Sequence, residues 1–506
     1  MSLAIIYSRA MFGIHAPQVI VEAHISKGLP GFTLVGLAET AVREARDRVR
    51  SAIINSGYRF PVRKITINLA PADLPKEGGR YDLAIALAIL AASEQLVTTK
   101  LGQCEFVGEL ALTGALRAIP GVIPAATEAL KAAKQIVVPA ENAAEVGLIE
   151  QAGCFIARHL TEVCSWLMDK SGLQRPALVA YIPPASPLDM SEIIGQAQGR
   201  RALEVAAAGG HNLLLIGPPG TGKTMLASRL NGLLPPLTNA QALESAAILS
   251  LVRCSALHHQ WRQRPFRAPH HSASLSAMVG GGSIPQPGEI SLAHHGVLFL
   301  DELPEFERRV LDALREPMES GEIHISRSRA KLTYPAQFQL IAAMNPAPSG
   351  HYEGQHHRAT PQQILRYMGR LSGPFLDRFD LSVDIPLLEA GLLSRQRHQN
   401  EASETIRDRV SACHDRQIRR QQKLNTLLTP HEIRDICQLQ KEDALWLEET
   451  LTALGLSVRA WQRLLKVART LADMQHEERI YRRHLQEALS YRAIDRLLLH
   501  LQRLAG

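Results

Sequence analysis

A glycine-rich segment that ends in a lysine and a threonine most directly indicates chemistry in this chain of 506 residues. It reads Gly217-Pro218-Pro219-Gly220-Thr221-Gly222-Lys223-Thr224, which is GxxxxGK followed by serine or threonine. Glycines let successive backbone N–H groups face phosphates, and a following helix N-terminus adds positive potential. We therefore expect an ATP site in which Lys223 reaches the β- and γ-phosphates and Thr224 is a ligand of Mg²⁺. The alternative is a glycine-rich turn without a ligand.

Acidic and amide side chains follow two other apolar runs. Asp301 and Glu302 come after residues 296–300, and Asn345 comes after residues 338–344. Asp301 is predicted to hold Mg²⁺ and Glu302 to polarise the attacking water. Asn345 is predicted to orient that water without adding charge. Taken singly, the acids could be solvated and the Asn-Pro pair could be a plain turn.

Short buried strands must bring these residues together. The apolar runs at 211–216, 296–300 and 338–343 are typical of parallel strands that are buried on both faces. Ligands bind at the carboxyl ends of such strands, so the sequence predicts an α/β core at residues 189–392. Residues 1–171 predict an α+β domain, in which residues 105–110 form one strand. A proline-rich linker is expected at 172–188, and an all-helical domain at 393–506.

Composition indicates a globular protein with a weakly basic balance. Hydrophobic residues make up 46% and charged residues 21%, and the net charge is +7. The longest apolar run, residues 83–92, is too short to span a bilayer. The six cysteines contain no CxxC pair, which favours a reducing compartment. We expect a cytoplasmic location and no membrane partner.

Longer motifs surround the nucleotide segment. They are Ile194-Gly195-Gln196, Phe266-Arg-Ala-Pro-His-His271, Pro287-Gly-Glu-Ile-Ser-Leu-Ala-His294 and Ser372-Gly-Pro-Phe-Leu-Asp-Arg-Phe-Asp380. Together these motifs resemble the magnesium-chelatase-like AAA+ ATPases, and most closely the bacterial ComM/YifB family. The resemblance covers essentially the whole chain. It implies an AAA+ P-loop ATPase core with a helical C-terminal lid, after an α+β Lon-protease-like (ribosomal S5 domain 2-like) N-terminal domain.

The resemblance also implies that two arginines act in a ring of subunits. Arg378 matches the arginine finger that reaches the neighbouring subunit's nucleotide, and Arg459 is the best match for a sensor arginine. Both roles require assembly, and a homo-hexamer is expected. The alternative for each arginine is a surface ion pair.

Two stretches without acidic residues flank the Asp-Glu strand, at residues 245–288 and 323–352. In the resembling clade these positions are hairpins that point into a central pore, where six copies would attract a phosphate backbone. The candidate DNA contacts are Arg264, Arg267, His270, His271, Arg327, Arg329 and Lys331. The alternative is that these side chains are solvated or pair with acids elsewhere.

The resemblance implies a DNA motor that promotes branch migration in homologous recombination, notably when incoming single-stranded DNA is integrated during natural transformation. Single-stranded and branched DNA and recombination proteins are then the expected partners. A magnesium-chelatase-type ATPase subunit and an ATP-dependent protease or unfoldase stay open as alternatives. Against protease activity, Arg80 stands where active Lon-type proteases have serine, and the matching lysine position falls near Ile123. The N-terminal domain is therefore predicted to be catalytically inactive.

Overall fold

The computed structural model describes most of the chain. The described residues are 2–36, 44–74, 76, 78–149, 152–181, 188–252, 257–282, 285–327, 330–348, 350, 359–388, 391, 400–455 and 458–505.

The N-terminal part is built on a mixed seven-stranded sheet. Its strands and those of a small separate hairpin are β1 (Ser2–Arg9), β2 (Gln18–Ser26), β3 (Gly31–Val35), β4 (Lys64–Ala70), β5 (Cys104–Phe106), β6 (Glu109–Leu110), β7 (Leu116–Arg117), β8 (Gln135–Pro139) and β9 (Cys154–Ala157). The sheet order is β3-β4-β2-β1-β5-β8-β9, and β6 pairs with β7 outside it. The helices of this part are α1 (Ala45–Asn55), α2 (Asp82–Ala92), α3 (Val122–Lys131), α4 (Ala143–Val146) and α5 (Leu160–Leu167).

One predicted strand of this part is wrong in detail. The sequence predicted a single strand at residues 105–110, whereas the chain forms β5 and β6 with a break between them. The break arises because the Gly108 N–H donates to the carbonyl of Arg80 and no longer to a neighbouring strand. The chain therefore leaves the main sheet at this glycine and starts the small hairpin.

The central part is built on a parallel five-stranded sheet. Its strands are β10 (Leu213–Ile216), β11 (Phe266–Arg267), β14 (Val297–Leu300), β17 (Gln339–Met344) and β18 (Leu381–Asp384). The order is β11-β14-β17-β10-β18, and each neighbouring pair is parallel. Strands β10, β14 and β17 are buried throughout, because helices pack on both faces.

Helices and two hairpins surround this sheet. The helices are α6 (Ala197–Gly209), α7 (Lys223–Leu233), α8 (Asn239–Ser250), α9 (Leu275–Val279), α10 (Glu289–Leu292), α11 (Arg308–Ala313), α12 (Arg315–Ser320), α13 (Pro361–Met368) and α14 (Gly373–Leu376). The first hairpin pairs β12 (Gly280–Gly281) with β13 (Gln286–Pro287), and the second pairs β15 (Glu322–Arg327) with β16 (Ala330–Pro335). Helix α3 of the N-terminal part packs on α8, and one apolar cluster joins the two.

The described C-terminal part is helical. It consists of α15 (Ser403–Gln421), α16 (Pro430–Ile436), α17 (Lys441–Ala453), α18 (Val458–Met474), α19 (Arg482–Ser490) and α20 (Ala493–Ala505). Side chains on α15 tie it to the core, since His414 Nε2 and Gln417 Nε2 donate to the carbonyls of Ala207 and Ala208 on α6. Within the described ranges, no helix combines the length and apolarity that crossing a membrane requires.

Candidate nucleotide site

The glycine-rich segment lies between β10 and α7, at the carboxyl edge of the parallel sheet. Gly220 and Gly222 have φ angles of +77° and +87°, a left-handed conformation that other residues rarely adopt. A Cβ on Gly217 would lie 2.2 Å from the carbonyl oxygen of Ile385, so the loop passes against the end of β18. Helix α7 begins at Lys223 without a side-chain cap, and its first N–H groups are available to an anion.

The Lys223 amine is turned into the loop. It donates to the carbonyls of Gly217 at 2.7 Å and Pro218 at 2.8 Å, and it lies 3.2 Å from the Asn345 side-chain oxygen. Burial lowers the pKa of Lys223, while the nearby Asp301 carboxylate opposes that shift. A buried cation held only by neutral oxygens would gain from an anionic partner, so these residues fit a triphosphate. The proximity of Lys223 to Asn345 also brings two of the predicted site residues together.

The two predicted Mg²⁺ ligands are in direct contact. Thr224 Oγ1 donates to Asp301 Oδ2 at 2.7 Å, which joins the start of α7 to the end of β14. A hydroxyl and a carboxylate are oxygen ligands of the kind that Mg²⁺ accepts, so the pair fits this ion. Their role as ligands remains a prediction.

Glu302 lies beside Asp301 in a left-handed backbone conformation. Its φ of +53° costs a non-glycine residue about 1–2 kcal/mol, and its N–H donates to Asp301 Oδ1 at 2.9 Å. The Glu302 side chain is exposed, and its Oε2 lies 3.1 Å from His271 Nδ1. The His271 ring in turn packs at a tilt against His270, with ring centroids 4.0 Å apart, and makes an edge contact with Phe306. The predicted base is therefore held by a histidine from the segment after β11.

A cavity of about 750 Å³ opens beside Glu302 and Asn345. Its other lining residues are Glu305, Pro348, Ala359, Gln363, Arg366, Tyr367 and Arg370. The sequence did not predict the side of the cavity that is formed by α13 and the residues just after it. The missed signal is the spacing of positions 363, 366, 367 and 370, which places them on one helix face. Arg370 Nη1 lies 3.1 Å from both carboxylate oxygens of Glu305, which brings a guanidinium to the site.

The two arginines predicted to act between subunits lie in different settings. Arg378 pairs with Glu319 of its own chain and is mostly buried. Arg459 is exposed at the start of α18. One turn further along α18, Arg463 Nη2 lies 3.0 Å from Asp377, which links this helix to the segment that carries Arg378. A trans-acting role for Arg378 would require the Glu319 pair to open on assembly.

Two of the predicted DNA contacts, Arg264 and Arg267, form hydrogen bonds within the chain. Arg264 donates to the carbonyls of Pro235 and His295, and burial lowers its pKa to about 10. Arg267 donates from Nε and Nη2 to the two carboxylate oxygens of Glu289, at 2.6 and 2.7 Å. These two arginines therefore stabilise the fold, and their role as DNA contacts stays a prediction.

The other predicted contacts differ in their exposure. His271 lies on Glu302 as described, so it is not a free surface group, whereas His270 is exposed and bonds to Ser272 Oγ. Lys331 is exposed on β16 and pairs in register with Ser326. Arg327 is the last residue of β15, and its side chain is not described. Arg329 lies outside the described residues.

Adjacent histidines at 294 and 295 meet a carboxylate that the sequence did not predict. Glu244 Oε2 lies 2.7 Å from His295 Nε2 and 3.4 Å from His294 Nε2, close enough together for a metal ion. However, His294 Nδ1 accepts the backbone N–H of Gln337. The proton of neutral His294 is therefore on Nε2, which points at Glu244 and is not free to ligate. Burial lowers the pKa of His294 to about 4 and supports this neutral form.

The parallel sheet has the order β11-β14-β17-β10-β18, and the glycine-rich loop follows β10. This arrangement defines a P-loop nucleotide-binding fold. Profiles of magnesium chelatase subunit ChlI match residues 189–393 and 21–142, and a profile of its C-terminal region matches residues 400–492. YifB of Salmonella typhimurium is 67% identical over the full length of both chains. Competence protein ComM of Haemophilus influenzae is 56% identical over 98% of this chain and 99% of its own. The chain therefore belongs to the ComM/YifB family of magnesium-chelatase-like AAA+ proteins, which implies ATPase activity.

Proposed function

We propose that this protein is an ATP-driven DNA motor that promotes branch migration during homologous recombination. The observation that carries the proposal is the contact of Thr224 with Asp301, beside the Lys223–Asn345 pair, at the carboxyl edge of the parallel sheet. This arrangement fits ATP hydrolysis, and the β15–β16 hairpin that precedes β17 is the segment we assign to a second ligand. The similarity to a competence protein supports DNA as that ligand, including single-stranded DNA taken up in natural transformation.

Each step at the nucleotide site has a proposed residue. The N–H groups of the loop and the Lys223 amine bind the phosphates, and Thr224 with Asp301 holds Mg²⁺. When bound, the ion would neutralise charge on the phosphates of ATP. Glu302 takes a proton from the attacking water, and Asn345 orients that water. In a hexamer, Arg378 of each subunit stabilises charge on its neighbour's nucleotide, and Arg459 acts as a sensor of the nucleotide in the lid.

The proposed DNA contact is the second hairpin. Lys331 is exposed on β16, and the chain from residue 323 to 352 contains no acidic residue. Six copies around a ring would combine a small excess of charge into one basic channel, which attracts phosphates without reading bases. Recombination proteins are the proposed recruiting partners.

The two alternative functions make different demands on the chain. A protease would need a nucleophile in the N-terminal part, where Arg80 instead donates to the carbonyl of Pro120 and Ile123 is fully buried. A chelatase-type subunit would hydrolyse ATP without a response to DNA. DNA-stimulated hydrolysis therefore separates the motor from the chelatase-type subunit.

The test is a strand-release assay on a synthetic branched DNA with ATP and Mg²⁺. We expect the intact protein to release strands, and Lys223→Ala to lose at least about 90% of the activity because the phosphates lose their cation. Lys441→Ala, an exposed lysine on α17, is the matched control and should behave as wild type. Strand release that survives Lys223→Ala would contradict the motor.

A further inference from the structure

A turn of the N-terminal part contacts the second hairpin of the ATPase core. This turn, residues 11–15, joins β1 to β2, two inner strands of the seven-stranded sheet. A Cβ on Gly13 would lie 3.6 Å from side-chain atoms of both Leu332 and Tyr334 on β16. Phe12 and Ile14 are partly buried against the apolar cluster that contains these two hairpin residues. The turn is therefore in van der Waals contact with the hairpin that we assign to DNA.

The turn is held in shape by its own backbone. The N–H groups of Phe12 and His15 each donate to the other residue's carbonyl, at 3.1 Å. Gly13 has a φ of +61°, a left-handed conformation that glycine adopts without strain. These features involve no side chain, so replacing the side chains of residues 12 and 14 should leave the turn intact.

A buried ion pair fixes the base of the turn. Arg9, the last residue of β1, donates from Nε and Nη2 to the carboxylate of Glu105 on β5, at 2.6 and 2.9 Å. Its Nη1 donates to the carbonyl of Ala16, just after the turn, at 2.9 Å. Arg9 and Glu105 are both buried, and charged hydrogen bonds in such a setting are strong. One guanidinium therefore connects both ends of the turn to β5.

The N-terminal part is also attached to the ATPase core at α8. Helix α3 packs on α8, and the Gly121 N–H donates to the carbonyl of Ser250, the last residue of α8, at 2.8 Å. A Cβ on Gly121 would lie 3.2 Å from the Leu251 side chain and 3.3 Å from that of Met11, so the turn begins beside this attachment. A closely packed body that is fixed to α8 and contacts β16 limits the movement of the hairpin relative to the core.

The two faces of β16 have different surroundings. Leu332 and Tyr334 are buried and share the face that the turn contacts. Lys331 is exposed, and alternation along a strand places it on the opposite face. The contact with the turn therefore supports the hairpin from one side and leaves Lys331 exposed on the other.

We propose that the N-terminal part positions the DNA-contacting hairpin, and that the turn at residues 11–15 is the surface through which it does so. The proposal rests on the proposed function, since DNA is taken as the ligand of this hairpin. It gives a domain without proteolytic chemistry a role in the motor. When the contact is lost, the hairpin moves more before DNA binds, and ordering it on binding weakens the affinity for DNA.

The test compares the full-length wild type with the double variant Phe12→Ala/Ile14→Ala. We expect amide hydrogen exchange in residues 322–335 of the variant to be about fivefold faster or more, because fewer apolar contacts oppose local opening of the hairpin. Exchange in β10 and α7 should stay at wild-type rates, which separates local opening from loss of the fold.

The same variant is assayed for ATP hydrolysis with increasing single-stranded oligonucleotide. The DNA-free kcat should equal that of wild type, because the nucleotide site is unchanged. The DNA concentration for half-maximal stimulation should rise about threefold or more, because DNA must order a looser hairpin.

The matched control is Leu112→Ala, which shortens an exposed apolar side chain between β6 and β7 of the same part. It should leave both hairpin exchange and the DNA response at wild-type values. Unchanged exchange of residues 322–335 in the double variant would overturn the proposal. Faster exchange with an unchanged DNA response would overturn the role of the contact in DNA binding.

The proposal and the proposed function fail separately. A wild-type ATPase that ignores DNA contradicts the DNA motor. In that case hydrogen exchange of the double variant still decides whether the turn positions the hairpin: faster exchange confined to residues 322–335 supports it, and unchanged exchange overturns it.

Discussion

At the scale of single residues, the charged side chains of the nucleotide site differ in their hydrogen-bond partners. Lys223 has no carboxylate within bonding distance among the described residues and instead uses three neutral oxygens. Asp301 has its two oxygens divided between the Thr224 hydroxyl and the Glu302 N–H. Glu302 lines the same cavity as Asn345, and its Oε2 lies 3.1 Å from His271 Nδ1. These contacts support the proposed roles, in which Lys223, Thr224 and Asp301 bind and Glu302 transfers the proton.

Replacing the carboxylate of Glu302 by an amide is the prediction at this scale. Glu302→Gln should lower kcat for ATP about 10²–10⁴-fold, because an amide cannot accept the proton of water, while nucleotide affinity changes little. Steady-state hydrolysis and binding of a fluorescent ATP analogue measure the two effects. Glu307→Gln, an exposed acid before α11, is the control with the same change of charge. Loss of nucleotide binding in Glu302→Gln would assign this residue to binding instead of catalysis.

At the scale of elements, buried polar side chains join the helical part to the sheet. His414 on α15 is almost fully buried, and its Nε2 donates to the carbonyl of Ala207 on α6 at 2.8 Å. Burial lowers the pKa of His414 to about 4, and nearby Arg264 lowers it further while Asp415 and the Ala207 carbonyl oppose the shift. The interface of α15 with α6 therefore needs neutral histidine.

This interface predicts a dependence of stability on pH. Between about pH 6.5 and pH 4 the unfolded chain binds a proton at His414 that the folded chain does not. Stability is therefore complete above pH 6.5 and falls by about 1.4 kcal/mol per pH unit below it. His414→Gln keeps a donor for Ala207 and removes this contribution. Its melting temperature should fall less than that of wild type between pH 7 and pH 5.

Thermal unfolding followed by circular dichroism over this pH range measures the effect. His431→Gln removes an exposed histidine and should follow the wild-type curve. Parallel curves for His414→Gln and wild type would refute the role of His414.

At the scale of the whole molecule, the proposed hexamer divides each ATP site between two subunits. Within one chain Arg378 is paired with Glu319. A finger that acts in trans makes a specific prediction about mixtures of inactive variants.

Lys223→Ala and Arg378→Ala should each be inactive, yet subunits exchanged between them should recover ATPase activity. In a random mixture about a quarter of the interfaces combine an intact loop with an intact arginine. Recovery to that order, measured after subunit exchange, would support the assignment. A mixture with no more activity than its components would contradict it, and Glu302→Gln mixed with Lys223→Ala is the control that should not recover, since both changes lie on the same side of the interface.

The sequence alone predicted features that depend on interactions between residues close in the chain. The strands at 213–216, 297–300 and 339–344 were predictable, because continuous apolar runs between helical patterns have few other structures. The loop at 217–224 was predictable because its spacing is local. The split of residues 105–110 into β5 and β6 was not, since it depends on a hydrogen bond from Gly108 to the distant Arg80.

The sequence by itself determined the P-loop, the acids and amide at the strand ends, and the family of the chain. Only the tertiary structure decided which basic residues are free. Arg264 and Arg267 looked like part of a basic stretch, yet the first bonds to backbone carbonyls and the second to Glu289, 22 residues away. The same holds for His271, whose partner Glu302 follows strand β14 and is 31 residues away in the sequence. Charge can be read from composition, but whether a charge is available depends on partners that only folding brings near.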